Sequence, residues 1–440
     1  MNAASVLRRV TARFDPGWLL ALLVTGYVIL ATDTWHVPTP DGPLLVPLWE
    51  ALVGFTCVLW LAVRRGITPV AYIAIAAIWG ILLTDSTNFT SQALRDLHIY
   101  LKAGQHFIDG QAVYLTEPLR ARPGDLSNYP FLYPPLTLPA FALLSPFPWP
   151  LVDAAWLAAS TAIAVWSLRR FGLSWRWTLA ALLWPPFMQG LYVGNVMVPL
   201  VALFAAAPFA RRAAGLAVAP VFKIYSAITT LWLIREGRLL ELAVGGAFVV
   251  FVALATLPMV GVGLWSDWLK GLGLYRESQP VLPNSLYGIG LPHYAPEWLW
   301  LLVATVVVVL ALMARGREGL TRLGLATVIA SPSLYAHGFV VATPAYLSLR
   351  SVWLWTAIAI TGVAPGLGWW LAIALLIASW YVPALRRSST REELHPLADV
   401  LEPWPEVVEE AARAKAARRV GTQPGLEPTS GAGQESEAAG

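Results

Sequence analysis

Charge is what this chain has least of. Asp, Glu, Lys and Arg make up 13% of its 440 residues, while 57% are hydrophobic. Soluble domains carry about 25% charged residues, so an ordinary soluble domain is excluded and a polytopic membrane protein is indicated. Cysteine is almost missing. Cys57 stands alone inside an apolar run, which excludes a disulfide framework and a cysteine-based zinc site. The net charge is only +4, and no nucleic-acid partner is expected. There is no D-x-D, H-E-x-x-H, P-loop or G-x-G-x-x-G segment. No standard divalent-ion clamp is therefore visible, and no metal or cofactor is expected. Apolar runs and interface aromatics are what the chain has in quantity. Its 22 Trp and 14 Tyr are residue types that collect at bilayer surfaces. The first apolar run, Trp18–Ala31, leads into further spans and lacks a small-residue cleavage site, so it does not read as a cleaved signal.

Hydropathy places spans at roughly 18–32, 45–63, 67–84, 151–168, 177–190, 195–210, 242–260, 297–314, 322–335, 338–349, 351–364 and 367–385. The expected architecture is an all-α bundle of about 12 transmembrane helices. Several runs are shorter than the ~20 residues a straight crossing needs. Short, Pro-broken helices are tolerated only where protein or a water-filled cavity covers the freed backbone. Arg8/Arg9/Arg13, Arg64/Arg65, Arg169/Arg170/Arg176, Arg211/Arg212, Arg235/Arg238, Arg315/Arg317/Arg322 and Arg386/Arg387 can all lie on the cytoplasmic side. The positive-inside rule then puts both termini in the cytoplasm and 33–44, 85–133, 261–296 and 365–366 outside. The Pro-rich 134–148 and a hairpin over 213–234 become re-entrant. Residues 1–385 form the membrane domain and 386–440 a cytoplasmic tail. In that tail Pro405–Val420 could fold as a charged helix, and Gly421–Gly440 has a disordered composition.

The first long outer loop, 85–133, interrupts the apolar pattern with Asp96, His98, Lys102, His106, Asp109, Glu117 and Asp125, threaded through Tyr100, Tyr114, Tyr129 and Tyr133. Within it, Leu94, Leu97, Leu101 and Ile108 recur at helical spacing before Gly110. The spacing predicts an amphipathic helix over Ser91–Asp109 lying on the outer leaflet. Trp265, Trp268 and Leu272 repeat that theme in the second outer loop. A carboxylate waiting at the membrane surface suits transfer of a lipid-linked sugar, where an acid must take a proton from the acceptor hydroxyl. Asp96 is the first choice for that general base. Its plainer reading is a solvated or helix-start acid, favoured there by the helix dipole. Asp85, in Asp85-Ser86-Thr87-Asn88, reads better as a helix exit.

Lys223 stands in Gly215–Trp232, an otherwise uncharged apolar run. An intramembrane Lys is costly unless it is paired or faces water, so it marks a functional site by default; an ammonium there suits a lipid phosphate. A Lys snorkelling from a short helix is the alternative. His337 lies in Ser331-Pro332-Ser333-Leu334-Tyr335-Ala336-His337-Gly338, where Pro332 breaks the helix and frees carbonyls along a cavity wall. It could equally be a His satisfied by a neighbouring carbonyl or hydroxyl. Asn284-Ser285 and Gln189…Gly194-Asn195 could bind sugar hydroxyls, and both also fit ordinary turn chemistry.

Together these motifs resemble the bacterial polyprenol-phosphate-mannose-dependent mannosyltransferases of glycosyltransferase family 87, a GT-C group also known as DUF2029. The resemblance rests on Asp96-Leu97-His98-Ile99-Tyr100, Gly110, Tyr114, Tyr133-Pro134-Pro135-Leu136, Gly194-Asn195, Lys223-Ile224-Tyr225, Asn284-Ser285 and Ser331-Pro332…His337, and spans about 90–345. The chain departs from the family pattern in carrying Gly338 in place of a second His and Leu334-Tyr335 where Ser-Trp is common. The resemblance implies an inverting membrane transferase of the bacterial plasma membrane, with its active site on the extracytoplasmic face. Its donor would be polyprenyl-phosphate-mannose and its acceptor a glycolipid or glycan, so membrane lipids and these two substrates are its expected partners. Asp96 would be the base, with Lys223, His337, Asn195, Asn284, Tyr100 and Tyr133 around the donor phosphate and sugar. Three readings compete: a transporter or flippase of a lipid-linked saccharide, an outer-face ligase or acyltransferase, and an inactive assembly subunit. Only a transferase loses turnover and accumulates unused donor when Asp96 is neutralised.

Overall fold

In the computed structural model the described residues are 35–39, 42–46, 93–120, 129–173, 178, 181–182, 184–208, 212–278, 290–350, 353–354, 356–358 and 367–386. The expected spans 18–32 and 67–84, nearly all of 45–63, much of 351–364, the tail, Asp85 and Asn284 lie outside them. The described chain is mostly helical. Its one hairpin pairs β1 (Trp35–Thr39) with β2 (Gly42–Val46), antiparallel, with Trp35 opposite Val46 and Thr39 opposite Gly42. It falls where hydropathy alone indicates an outer loop.

The helices that position the site follow in order. The first, α1 (Arg95–Ile108), is joined through Pro135–Thr137, a 3-10 turn, to α2 (Leu138–Leu144) and α3 (Trp149–Arg170). Next come α4 (Pro185–Tyr192), α5 (Met197–Ala206) and α6 (Ala227–Arg235). The long α7 (Leu239–Glu277) follows, then α8 (Glu297–Leu312), α9 (Gly316–Ala330), α10 (Thr343–Leu347) and α11 (Leu367–Ala378). Two of these, α3 and α7, are long and apolar enough to cross a membrane.

The 39 residues of α7 would extend about 58 Å at 1.5 Å per residue, about twice the ~30 Å hydrocarbon core. The chain resolves the mismatch by breaking. Gly261 sits at φ 68°, ψ 162°, three residues after Pro258. The part over 239–260 is long enough for one crossing, and it leaves Leu240, Phe248, Phe251 and Leu254 exposed, as a lipid-facing helix would. The part over 262–277 turns back across the fold. Trp268 Nε1 donates to the Leu132 carbonyl at 3.0 Å, and the Leu119 amide donates to Ser278 Oγ at 2.8 Å. This segment therefore packs against the polar loop that follows α1.

Two expectations change. The helix around Asp96 does not lie loose on a surface: Leu97 and Leu101 are fully buried, and Tyr100, Ala103 and Gly104 are buried with them. A Cβ on Gly104 would come within 2.6 Å of the Phe141 backbone, so α1 and α2 touch main chain to main chain. Burying each of the two leucines contributes about 1.5–3 kcal/mol, and this packing outweighs the solvation of the helix's polar face. The runs 322–335 and 338–349 are not two straight spans either. After α9 ends at Ala330, Pro332 prevents continuation. The chain then runs as 3-10 turns over Ala336–Ala342 into the five residues of α10, with His337 to Ala342 buried. The run 134–148 holds the 3-10 turn Pro135–Thr137 and the seven residues of α2, together too short to cross. Residues 213–226 are successive 3-10 turns, Ala213–Ala217, Ala219–Val221 and Ile224–Ser226, leading into α6.

Candidate active site

Helix α1 starts without a side-chain cap. Its first residues use another helix instead: the Leu94 amide donates to the Tyr192 carbonyl at 2.7 Å and the Asp96 amide to the Val193 carbonyl at 2.8 Å. The N–H groups left over at one helix start thus meet the carbonyls left over at the end of α4. Leu94 adopts φ +51° to make this docking, a left-handed conformation that costs a non-glycine residue roughly 1–2 kcal/mol. Gly194 lies opposite at φ +69°, and a Cβ there would stand 2.9 Å from Leu97 Cβ. A side chain at 194 would push the two helix ends apart.

The docking sets Asp96 beside Asn195. Asn195 Nδ2 donates to Asp96 Oδ2 at 2.5 Å, and Asn195 Oδ1 accepts from the Met197 amide at 2.8 Å. The backbone contact fixes which end of the amide faces the carboxylate. On the other oxygen, Arg95 Nε donates to Asp96 Oδ1 at 2.9 Å. Burial works to raise the Asp96 carboxyl, but the Arg95 charge and the hydrogen bonds from Asn195 and Arg95 outweigh it and hold it below the ordinary carboxylate range. Asp96 is 8% exposed, a buried and ionised carboxylate.

Lys223 and His337 join it from distant parts of the chain. Lys223, the half-buried residue between two 3-10 turns, holds Nζ 5.6 Å from the centre of the Tyr133 ring. Tyr133 meets Tyr100 hydroxyl to hydroxyl at 2.9 Å, and its carbonyl accepts from the Tyr114 hydroxyl at 2.9 Å. His337 is buried, its ring stacked on Tyr335 at 5.6 Å between centres. Burial, and the positive charges of Lys223 and Arg95 against the opposing pull of Asp96, push its imidazole down to about 3. Asp96 and Lys223 act electrostatically on one another, and Asp96 also acts on Tyr100, Tyr133, Tyr275 and Tyr335.

Of the residues that the sequence singles out, Asp96, Asn195, Lys223, His337, Tyr100 and Tyr133 therefore converge on one centre, while Asn284 lies outside the described residues. Their roles differ in detail. Both amide atoms of Asn195 engage the protein, so it is placed to hold the carboxylate. Tyr100 links Tyr133 to α1. Sequence reasoning misses Arg95, Tyr275 and Tyr335. The one signal for Arg95 is its place beside Asp96, but neighbours at i and i+1 do not face one another on a regular helix; the pairing arises in the first turn. His98, two residues on, points elsewhere. Its Nε2 lies 3.0 Å from Asp153 and its ring stacks on Trp149, which ties α1 to the start of α3. Among the described residues no group of three or more His, Cys, Asp and Glu could hold a metal ion.

Among known proteins, the model of glycosyltransferase family 87 matches residues 131–334. The matched stretch contains Tyr133, Asn195 and Lys223, and it ends three residues before His337. Asp96 precedes it and reaches the same centre through its bonds to 193 and 195. No curated protein and no solved structure matches the chain.

Proposed function

We propose that this chain, whose residues 131–334 match the family 87 model, is a membrane glycosyltransferase that moves a mannosyl unit from a polyprenyl-phosphate donor to a hydroxyl of a lipid or glycan acceptor. The transfer inverts the anomeric centre and takes place on the extracytoplasmic face of the bacterial plasma membrane. The single observation that carries the reading is the convergence of a buried, ionised Asp96 with Lys223 and His337.

The acceptor oxygen attacks the anomeric carbon from the face opposite the phosphate. The bond from that carbon to the phosphate oxygen breaks, and its electron pair leaves with polyprenyl phosphate. The acceptor proton passes to Asp96. A carboxylate held below its ordinary range is a weak base toward a free alcohol. Its task comes late, when the attacking hydroxyl has become acidic by bonding to carbon. Lys223 supplies positive charge to the departing phosphate, where a fixed charge in a water-poor site acts strongly. His337 and Tyr335 line the sugar. No metal or cofactor takes part in this scheme.

The surrounding fold in this reading is a GT-C-type bundle of about 12 spans with both termini cytoplasmic. The kinked α7 supplies a lipid-facing wall, and its 262–277 arm covers the catalytic loop. The test is transfer of radiolabel from polyprenyl-phosphate-mannose to a native lipid extract by purified wild type and by Asp96→Asn. A labelled product formed by wild type alone supports a transferase with Asp96 as base. Donor bound but never consumed by wild type would favour a transporter of lipid-linked sugar, and equal transfer by both would remove Asp96 from the mechanism.

A further inference from the structure

Gln189 and His337 stand 148 residues apart, yet they are locked by two contacts to one atom. The His337 main-chain N–H donates to Gln189 Oε1 at 3.1 Å, and His337 Nδ1 lies 3.3 Å from the same oxygen. The main-chain N–H can only donate, so it fixes the oxygen end of the amide toward the histidine. An amide oxygen can only accept, so Nδ1 must carry the proton. A neutral imidazole protonated at Nδ1 presents a bare lone pair at Nε2. Among the described residues Nε2 has no protein hydrogen bond. The pair cannot drift, because a Cβ on Gly190 would sit 2.5 Å from Val198 Cγ2 and 3.2 Å from His337 Cβ, so α4 is in tight contact with the 336–342 turns. Tyr335, stacked on the ring with an interplanar angle of 8°, fixes its plane.

We infer that Gln189 is a positioning residue that holds His337 as the Nδ1–H tautomer, so that His337 Nε2 accepts a hydrogen bond from a hydroxyl of the donor sugar. The inference rests on the proposed sugar-transfer reading and narrows one part of it. His337 becomes a reader of a hydroxyl and not a cation for the phosphate. An acceptor aimed at one hydroxyl also gives selectivity, because a donor lacking that hydroxyl leaves a buried polar atom unpaired. The charged groups that act on the ring are Lys223 and Arg95, which disfavour its protonation, and Asp96, which favours it.

Two measurements on the full-length protein in nanodiscs test this. The first needs no turnover: nitrogen NMR of 15N-histidine-labelled protein, with the His337 signals assigned by their loss in His337→Phe. The expected wild-type pattern is a protonated Nδ1 and a bare Nε2, and Gln189→Leu should lose it to a mixture or to the opposite tautomer. A protonated Nε2 in wild type would overturn the inference. The second compares polyprenyl-phosphate-mannose with its monodeoxy analogues. One analogue should be used about tenfold less well by wild type, and that preference should vanish in Gln189→Leu and in His337→Phe.

Gln189→Glu keeps an oxygen acceptor but draws the ring toward the imidazolium, whose Nε2 carries a proton. Its activity should rise with pH through the imidazole titration, while wild type stays flat there. A merely structural role for Gln189 would give equal loss at every pH and on every analogue, which refutes the inference. If wild type shows the expected tautomer yet transfers from no such donor, the sugar-transfer reading fails and the tautomer assignment stands.

Discussion

The amide of Asn195 and the carboxylate of Asp96 meet at 2.5 Å across 99 residues of chain. Each partner arrives by a different route. Asp96 comes from the first turn of α1, and Asn195 from the turn that leaves α4, where Gly194 lies against Leu97. The arrangement makes the carboxylate's orientation a property of two helix ends, so it is sensitive to changes that never touch a substrate.

Replacing Asn195 with Leu should lower kcat about 10–100-fold with a smaller change in donor KM, since small misplacements of a reacting group cost on that order. Steady-state kinetics on the purified protein check this. A change confined to KM would show that Asn195 contacts the donor and does not hold the base.

Arg95→Gln removes the nearest positive charge from Asp96. The Asp96 carboxyl is now below its reference of 3.8, and its stabilising contribution is present above that reference and lost as pH falls through the lower folded value. In wild type, the acid limb of activity should therefore lie below the ordinary carboxylate range. The variant's carboxyl should rise, and its acid limb should move to higher pH. A pH–rate profile of kcat decides the matter; an unmoved limb would mean that Asn195 alone holds the charge.

Lys223→Ala should raise the KM for a polyprenyl-phosphate donor, because the phosphate loses its counter-charge, and Lys223→Arg should recover part of it. Unchanged apparent donor affinity in Lys223→Ala would reject that role.

Gly194→Ala should destabilise the protein by about 1–3 kcal/mol, combining the left-handed backbone with overpacking against Leu97. It should also lower activity by displacing Asn195. Gly104→Ala meets the Phe141 backbone at 2.6 Å and should be destabilising to a similar degree, without any direct effect on the carboxylate. Thermal unfolding in detergent, read beside turnover, separates the two: Gly194→Ala should lose more activity at equal loss of stability.

The amino-acid sequence by itself determined that the protein belongs in a membrane, and it drew attention to ionisable residues that the fold sets near one another. In a chain with so few charges, Lys223 in an apolar run and Asp96 in a polar loop stand out, since unpaired charge is costly where water is scarce. It also marked where one helix stops: Pro332 coincides with the break after α9. The spacing of Leu94, Leu97, Leu101 and Ile108 named a helix, but not what it would pack against. Periodicity records that a face is apolar, and lipid and protein are both apolar neighbours. Only the tertiary structure buried α1 against α2, paired Arg95 with Asp96, set His98 on Asp153 and turned Gln189 toward His337. Those pairings join residues up to 148 positions apart, and Gln or Asn carries no charge to betray a partner. Which hydrogen bond each one makes is decided where the chain brings it, because an amide bonds whatever polar group the packing places within about 3 Å.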